Sequence, residues 1–237
     1  MRTALIALSA LLLFKAAAAE AQARRFPLES AMGLRVHNVT AEPATLEGKT
    51  GVRVTISPET AQRAQTMTPE QRAQIETLAV IEGTDFSSGV IEAEIAGTPA
   101  PGAGEGARGF VGIAFRLQPD MRTYDAFYLR PTNGRAEDQD RRNHATQYIS
   151  HPQWPWFRLR QETPGKYESY VDLVPGVWTK IKIEVRGDKA RLYVHDNPQP
   201  VLIVNDVKSG PSARGGVALW IGPGTVAHFR NVVVTPQ

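Results

Sequence analysis

The sequence predicts an all-β domain in which two antiparallel sheets pack face to face. Ten short runs alternate apolar and polar residues at the period of two that a half-buried strand requires. Gly, Pro, Asn and Asp stand between the runs, where a chain of short antiparallel strands must turn. One segment alone, residues 58–75, departs from that pattern.

In chain order the expected strands begin with Gly51–Ser57, Gly89–Ile95 and Gly109–Leu117. Tyr124–Arg130, Glu168–Leu173, Trp178–Arg186, Ala190–His195 and Val201–Asn205 follow, and Val217–Ile221 and Val226–Val234 close the series. Arg186-Gly187-Asp188-Lys189 joins two alternating runs and predicts a hairpin turn. Between the first two strands, residues 58–75 are rich in Gln, Ala, Arg and Thr. Thr68-Pro69-Glu70-Gln71 reads there as an N-cap followed by a Pro-started helical turn. A short helix or a loop outside the sandwich is expected there. Residues 98–107 are a Gly/Pro/Ala loop by composition.

The N-terminus predicts export. Arg2 precedes the apolar run Ala4–Phe14, which is too short to span a bilayer, and Lys15 interrupts it. Ala21-Gln22-Ala23 fits a small-x-small cleavage site, so residues 1–23 are expected to be a signal peptide and 24–237 a single domain. The expected location is periplasmic or extracellular, with no membrane span. Removing 23 residues leaves 214, enough for one large β domain, and lowers the net charge from +3 to +2 because two basic residues and one acidic residue go with them. Basic residues are interspersed with acidic ones, without the broad footprint nucleic acid requires. The chain has no cysteine, which excludes disulfides, thiolate-held metals and thiol catalysis. No Gly-rich loop follows a strand and opens a helix, so nothing indicates a nucleotide cofactor.

The period of two also assigns faces. Val111, Ile113, Phe115 and Leu117 share one face of their strand, leaving Phe110, Gly112, Ala114 and Arg116 on the other. Phe127 and Leu129 oppose Tyr124, Tyr128 and Arg130, and Trp220 opposes Val217, Leu219 and Ile221. The second face of the sheet would therefore carry Arg116, Tyr124, Tyr128 and Arg130, with room above Gly112 and Ala114.

Residues 124–170 concentrate the chemistry. They hold two of the five histidines, two of the four tryptophans and five of the six tyrosines, interspersed with Arg, Asn and Asp/Glu. Aromatic faces beside guanidinium, imidazole and amide groups suit a polar ring-shaped ligand, of which a sugar is the commonest. Arg116, Tyr128, Arg130, Arg142, Asn143, Tyr148, His151 and Trp154 are the expected ligand-binding residues. Trp154 and Trp156, held rigid by the prolines, either form an aromatic platform at the cleft rim, Trp154 being the better ligand candidate, or Trp156 and Phe157 plug the end of the sandwich; Trp178 and Phe229 are expected in the core. If the protein is catalytic, His144 would be the acid/base and Asp138 or Asp140 its partner, because imidazole titrates near neutral pH. No metal ligands are assigned. Calcium on Asp138, Asp140 and backbone carbonyls, or a mixed set of His144, His151 and one of those aspartates, stays open.

Several runs resemble a known group. Gly109-Phe110-Val111-Gly112-Ile113-Ala114-Phe115-Arg116 is similar to the "G-I-x-F-R" strand of concanavalin A-like lectin/glucanase domains. Gly176-Val177-Trp178-Thr179-Lys180-Ile181-Lys182-Ile183-Glu184-Val185 is similar to their "G-x-W-x-x-I-x-I-x-V" strand, and Ala190–Val194 to the one that follows. Gly216–Gly222 with Ala227-His228-Phe229-Arg230-Asn231-Val232 resembles their closing hairpin. The resemblance covers about residues 85–235 and leans toward exported bacterial domains of 3-keto-disaccharide hydrolase (DUF1080) type. It implies a jelly-roll sandwich that binds or cleaves a glycan on a concave sheet face; the protein is expected to be a monomer. The Glu-x-Asp-x-x-Glu strand of the glucanases is not present. A non-catalytic glycan-binding or protein-interaction module is therefore the alternative.

Overall fold

The computed structural model describes residues 22–237, so the expected signal peptide lies almost wholly outside the described residues. The chain opens with β1 (Arg24–Phe26), β2 (Leu34–His37), β3 (Val39–Leu46) and β4 (Lys49–Ile56). Two short helices follow, α1 (Pro58–Ala64) and α2 (Pro69–Arg72), then β5 (Leu78–Phe86), β6 (Gly89–Pro99), β7 (Val111–Leu117) and β8 (Tyr124–Leu129). After a 3-10 turn at Pro131–Asn133 come α3 (Gln139–Asn143), β9 (Thr146–His151), α4 (Trp156–Glu162) and β10 (Glu168–Ser169). The chain closes with β11 (Thr179–Arg186), β12 (Lys189–Val194), β13 (Leu202–Val204), β14 (Gly215–Ile221) and β15 (Thr225–Pro236).

These strands form two antiparallel sheets. One runs β13-β12-β11-β6-β15-β4-β3, with β1 also paired to β15; the other runs β10-β9-β8-β7-β14-β5-β2. Consecutive strands pair at the flanks, β13-β12-β11, β4-β3 and β10-β9-β8-β7, while the middle of each sheet joins strands distant in sequence, β11-β6-β15-β4 and β7-β14-β5-β2, as a jelly roll does. The alternation in the sequence becomes the inner face. Ile91, Ala93 and Ile95 of β6 and Ile181, Ile183 and Val185 of β11 are buried against Ile113, Phe115, Phe127 and Leu219 of the facing sheet. Phe115 meets Phe86 edge-on with centroids 6.2 Å apart and lies near-parallel to Phe127 at the same separation. Each fully buried side chain of this size contributes about 1.5–3 kcal/mol.

One difference between the sheets positions the site. β6 and β11 alternate buried and partly exposed residues, whereas β7, β8 and β9 are buried throughout. A strand buried along its whole length has both faces covered. The inner face of β7–β9 is covered by the opposing sheet; the outer face is overhung by α2, α4 and the loops at 102–108, 130–144 and 222–224.

The helical turn expected from Thr68-Pro69-Glu70-Gln71 is α2, closed by a reciprocal Thr68–Gln71 capping box. The Arg186–Lys189 turn is the β11–β12 hairpin, with Gly187 at φ +58°. Two helices were not expected. α3 and α4 have five and seven residues, too short for a helical apolar period to show in the sequence. The strand expected over Glu168–Leu173 shrinks to β10, which pairs only with β9. Phe229 is in the core as expected, but Trp178 is only half-buried and donates its indole N–H to the Leu46 carbonyl at 3.0 Å.

Arg116 does not lie where the period of two puts it. Between β7 and β14 the register steps three residues on one strand against two on the other, so β7 carries a bulge. Arg116 sits at that bulge with φ +56°. Its guanidinium turns away from the outer face and binds the carbonyls of Ser87, Gly187 and Gly210 at 2.7–2.9 Å and the Ser209 hydroxyl at 3.0 Å. It is a buried clamp on the loops at one end of the sandwich, not a group open to a ligand.

Candidate functional site

A cavity of about 590 Å³ opens on the outer face of the β10-β9-β8-β7-β14 side of the sheet. Its floor follows from strand register. Tyr128 lies opposite Gly112 on one side and Gln147 on the other; Gly112 in turn lies opposite Trp220, and Gln147 opposite Glu168. These residues form one row across five strands and share the outer face. Gly112 has no side chain, so the Tyr128 and Trp220 rings meet above it, stacked with centroids 4.5 Å apart. Phe110 stands edge-on to Tyr128 at 6.0 Å. Trp156, at the start of α4, adds a fourth ring to the lining, with the Arg160 guanidinium 4.8 Å from its centroid.

A polar network is built into the same row. Arg130 donates to the Tyr128 hydroxyl and to Gln147 Oε1, both at 2.9 Å, to the His144 carbonyl at 3.0 Å and to Glu168 Oε1 at 3.2 Å. Arg160 reaches the same carboxylate from α4, through Nε to Oε2 at 3.0 Å and through Nη2 to Oε1. His144 Nε2 stands 3.4 Å from Glu168 Oε2. One buried carboxylate thus organises two guanidiniums and an imidazole, which locks their directions toward the cavity.

Electrostatics sets the protonation states. Burial lowers the His144 pKa below its ordinary 6.5, and the Arg160 and Arg130 charges push it the same way against the opposing pull of Glu168. At neutral pH the ring is therefore uncharged and able to accept a proton. His151 is driven further, to about 4, by burial and by Arg122. Its ring stacks on Tyr124 at 5.1 Å, and its buried Nδ1 has no partner among the described residues. Burial raises the Tyr128 hydroxyl, which stays protonated.

Of the residues expected from sequence, the cavity brings together Tyr128, Arg130, His144 and His151. The others lie elsewhere. Tyr148 shares the inner face with Phe127, 5.4 Å between centroids, and donates to Asp125 Oδ1 at 2.6 Å, so it is core. Trp154 packs at the sandwich edge between Arg158 and Lys208, whose cationic groups lie 4.0 and 4.7 Å from its centroid. The cavity takes Trp156 instead, because the α4 helix turns that ring back over the sheet. Asp138 caps α3 through the Arg141 amide at 3.0 Å, and Asp140 is exposed on the same helix. Neither is the partner of His144; Glu168 is. Asn143 is exposed and binds Gln139, and Arg142 bonds the Tyr170 hydroxyl at 2.9 Å outside the lining. Among the described residues no three His, Asp or Glu side chains converge as metal ligands.

Glu168, Gln147 and Arg160 were not assigned to the site from sequence; Trp156 was expected there only as platform or end plug, and Trp220 only as a residue of the second face of its strand. Glu168 carries a signal, because two-residue spacing sets it on one face of the expected strand Glu168–Leu173 together with the polar Tyr170 and Asp172. Arg160 had none, since its position depends on an unexpected helix.

No protein-family model matches the chain, and no curated protein matches it. Solved structures do. The carbohydrate-binding module CBM66 from Bacillus subtilis superposes with a TM-score of 0.55 at 14% identity, over 85% of this chain and 95% of that one. A Parabacteroides distasonis protein provisionally described as a glycosyl hydrolase gives 0.52 at 9% identity, over 90% and 100%. A Bacillus subtilis protein of unknown function with a galectin-like fold gives 0.51 at 13%, over 90% and 96%. At such identities the likeness is one of fold: this chain is a jelly-roll sandwich of two antiparallel sheets.

Proposed function

We propose that this is an exported, monomeric protein that binds a glycan in the cavity over β7–β9 and β14. The observation that carries the reading is the composition of that cavity. Four aromatic rings line it, and Arg130, Arg160 and His144 converge on it with their directions fixed by Glu168. Rings supply the apolar faces on which sugar C–H groups stack, and forked donors match pairs of hydroxyls. The volume of about 590 Å³ lies within the range of sites that enclose a small ligand. Structural neighbours described as a carbohydrate-binding module and, provisionally, as a glycosyl hydrolase agree with this direction.

Binding is favoured over two-carboxylate hydrolysis. Among the described residues no Asp or Glu belongs to the cavity lining, and the adjacent Glu168 is committed to two arginines. A catalytic reading rests on one observation, the neutral His144 at the cavity wall. His144 would then remove a proton from bound sugar while Arg130 and Arg160 hold the charge that develops. A 3-keto-glycoside, whose carbonyl makes the neighbouring carbon acid, is the substrate suggested by the sequence resemblance.

The test is binding of purified protein to a broad glycan array, with turnover assayed on every glycan bound. Saturable binding that Arg130→Ala abolishes supports the reading. His144→Ala then separates the two versions, since it stops turnover and spares binding only if the protein is catalytic. Binding to no glycan would refute the proposal.

A further inference from the structure

The charge of the cavity narrows the ligand. Among the described residues its lining includes five arginines, Arg72, Arg108, Arg130, Arg141 and Arg160, and no carboxylate. Arg130 and Arg160 share Glu168 beneath the floor. Arg72, Arg108 and Arg141 have no carboxylate within 4 Å among the described residues, and they come from three separate places: α2, the Gly-rich loop and α3.

The groups are held in place without being neutralised. Arg108 donates to the carbonyls of Glu105 and Ala107, and Arg141 donates weakly to the Thr132 carbonyl at 3.5 Å. The Nε of Arg141 is buried and has no acceptor among the described residues. Such a donor carries a desolvation cost that a ligand oxygen would remove. Burial lowers the Arg108 pKa, and the charges of Arg141 and Arg130 lower it further against the smaller opposing pull of Glu105, so the guanidiniums repel one another across the wall. The chain as a whole is only +3, which makes this a local concentration of charge rather than a basic protein.

Resting on the glycan reading above, we propose that the ligand is an acidic saccharide whose carboxylate or sulfate group is held by Arg108 and Arg141, while its rings stack on Trp156 and Phe110. Guanidiniums bind both oxyanions through paired N–H groups, and an aromatic floor separates a sugar acid from a bare anion.

The experiment is calorimetric titration of the full protein with matched pairs. Trigalacturonate and trimannuronate are each compared with their carboxyl-reduced forms, and sulfated neocarratetraose with its desulfated form. An oligothymidylate serves as the non-saccharide anion. The account expects at least one acidic member to bind about tenfold or more tighter than its neutral twin, with the advantage shrinking as salt rises. The pair that responds tells carboxylate from sulfate. Arg108→Ala, on a surface loop where folding is not at stake, and Arg141→Gln should each cost the acidic member far more affinity than its neutral twin, removing most of that advantage. Equal binding of both members of every pair, lost in Arg130→Ala, would overturn the acidic assignment and leave the glycan site standing. Binding of no saccharide would overturn both, and oligothymidylate binding tighter than every saccharide would overturn the saccharide assignment.

Discussion

Tyr128 and Trp220 come from strands that are not neighbours, yet their rings stack at 4.5 Å because Gly112 on the strand between them has no side chain. The floor of the cavity is therefore set by one missing side chain. A Cβ at Gly112 would collide with the Phe127 carbonyl and come within 2.6 Å of the Tyr128 Cα. Gly112→Ala is expected to force β7 and β8 apart locally, cost roughly 1–3 kcal/mol of stability, and weaken ligand binding more than its stability loss explains. Denaturant unfolding and titration of the same variant check both halves.

Glu168 is the hub of the charged network, with a side chain only 2% exposed beneath Arg130 and Arg160. Removing one partner of a buried ion pair leaves the other uncompensated. Glu168→Gln should therefore destabilise the fold by about 3 kcal/mol or more, measured by urea unfolding. The acidic-ligand account adds a second expectation. With its internal counter-charge gone, Glu168→Gln should retain or gain affinity for an anion relative to its neutral twin.

His151 gives the protein a pH signature. Its pKa is about 4 in the fold against an ordinary 6.5, so the unfolded chain binds this proton more readily. Stability then rises with pH between about 4 and 6.5 and is lost as pH falls through that window. The full contribution is about 3 kcal/mol. His151→Gln should flatten this part of the stability profile relative to the native protein, leaving the carboxylate-driven loss at lower pH. Unfolding curves at half-unit pH steps give the comparison.

The sandwich was legible because its strands obey a simple rule. β6 and β11 bury alternate residues and their sequences say so. The site was legible only in part. Tyr128 and Arg130 lie on an ordinary strand and its end, and the period of two assigned them to the outer face correctly. Arg116 broke the same rule at a bulge, which adds a residue that alternation does not count. Tyr148 belongs to a strand whose residues are all buried, so polarity there did not separate core from site. Asp138 and Asp140 sat beside His144 in sequence, but Glu168 reached it through the β9–β10 pairing, a contact across the sheet that local spacing does not reveal.

The most direct measurement compares two tryptophans. Trp156 lines the cavity; Trp154, two residues away, packs at the sandwich edge. On the tightest-binding glycan from an array, Trp156→Ala should weaken binding by about tenfold, the magnitude of one lost stacking contact, while Trp154→Ala changes affinity less than about twofold and acts on stability instead. If Trp154→Ala abolishes binding and Trp156→Ala leaves it intact, the glycan site is not this cavity.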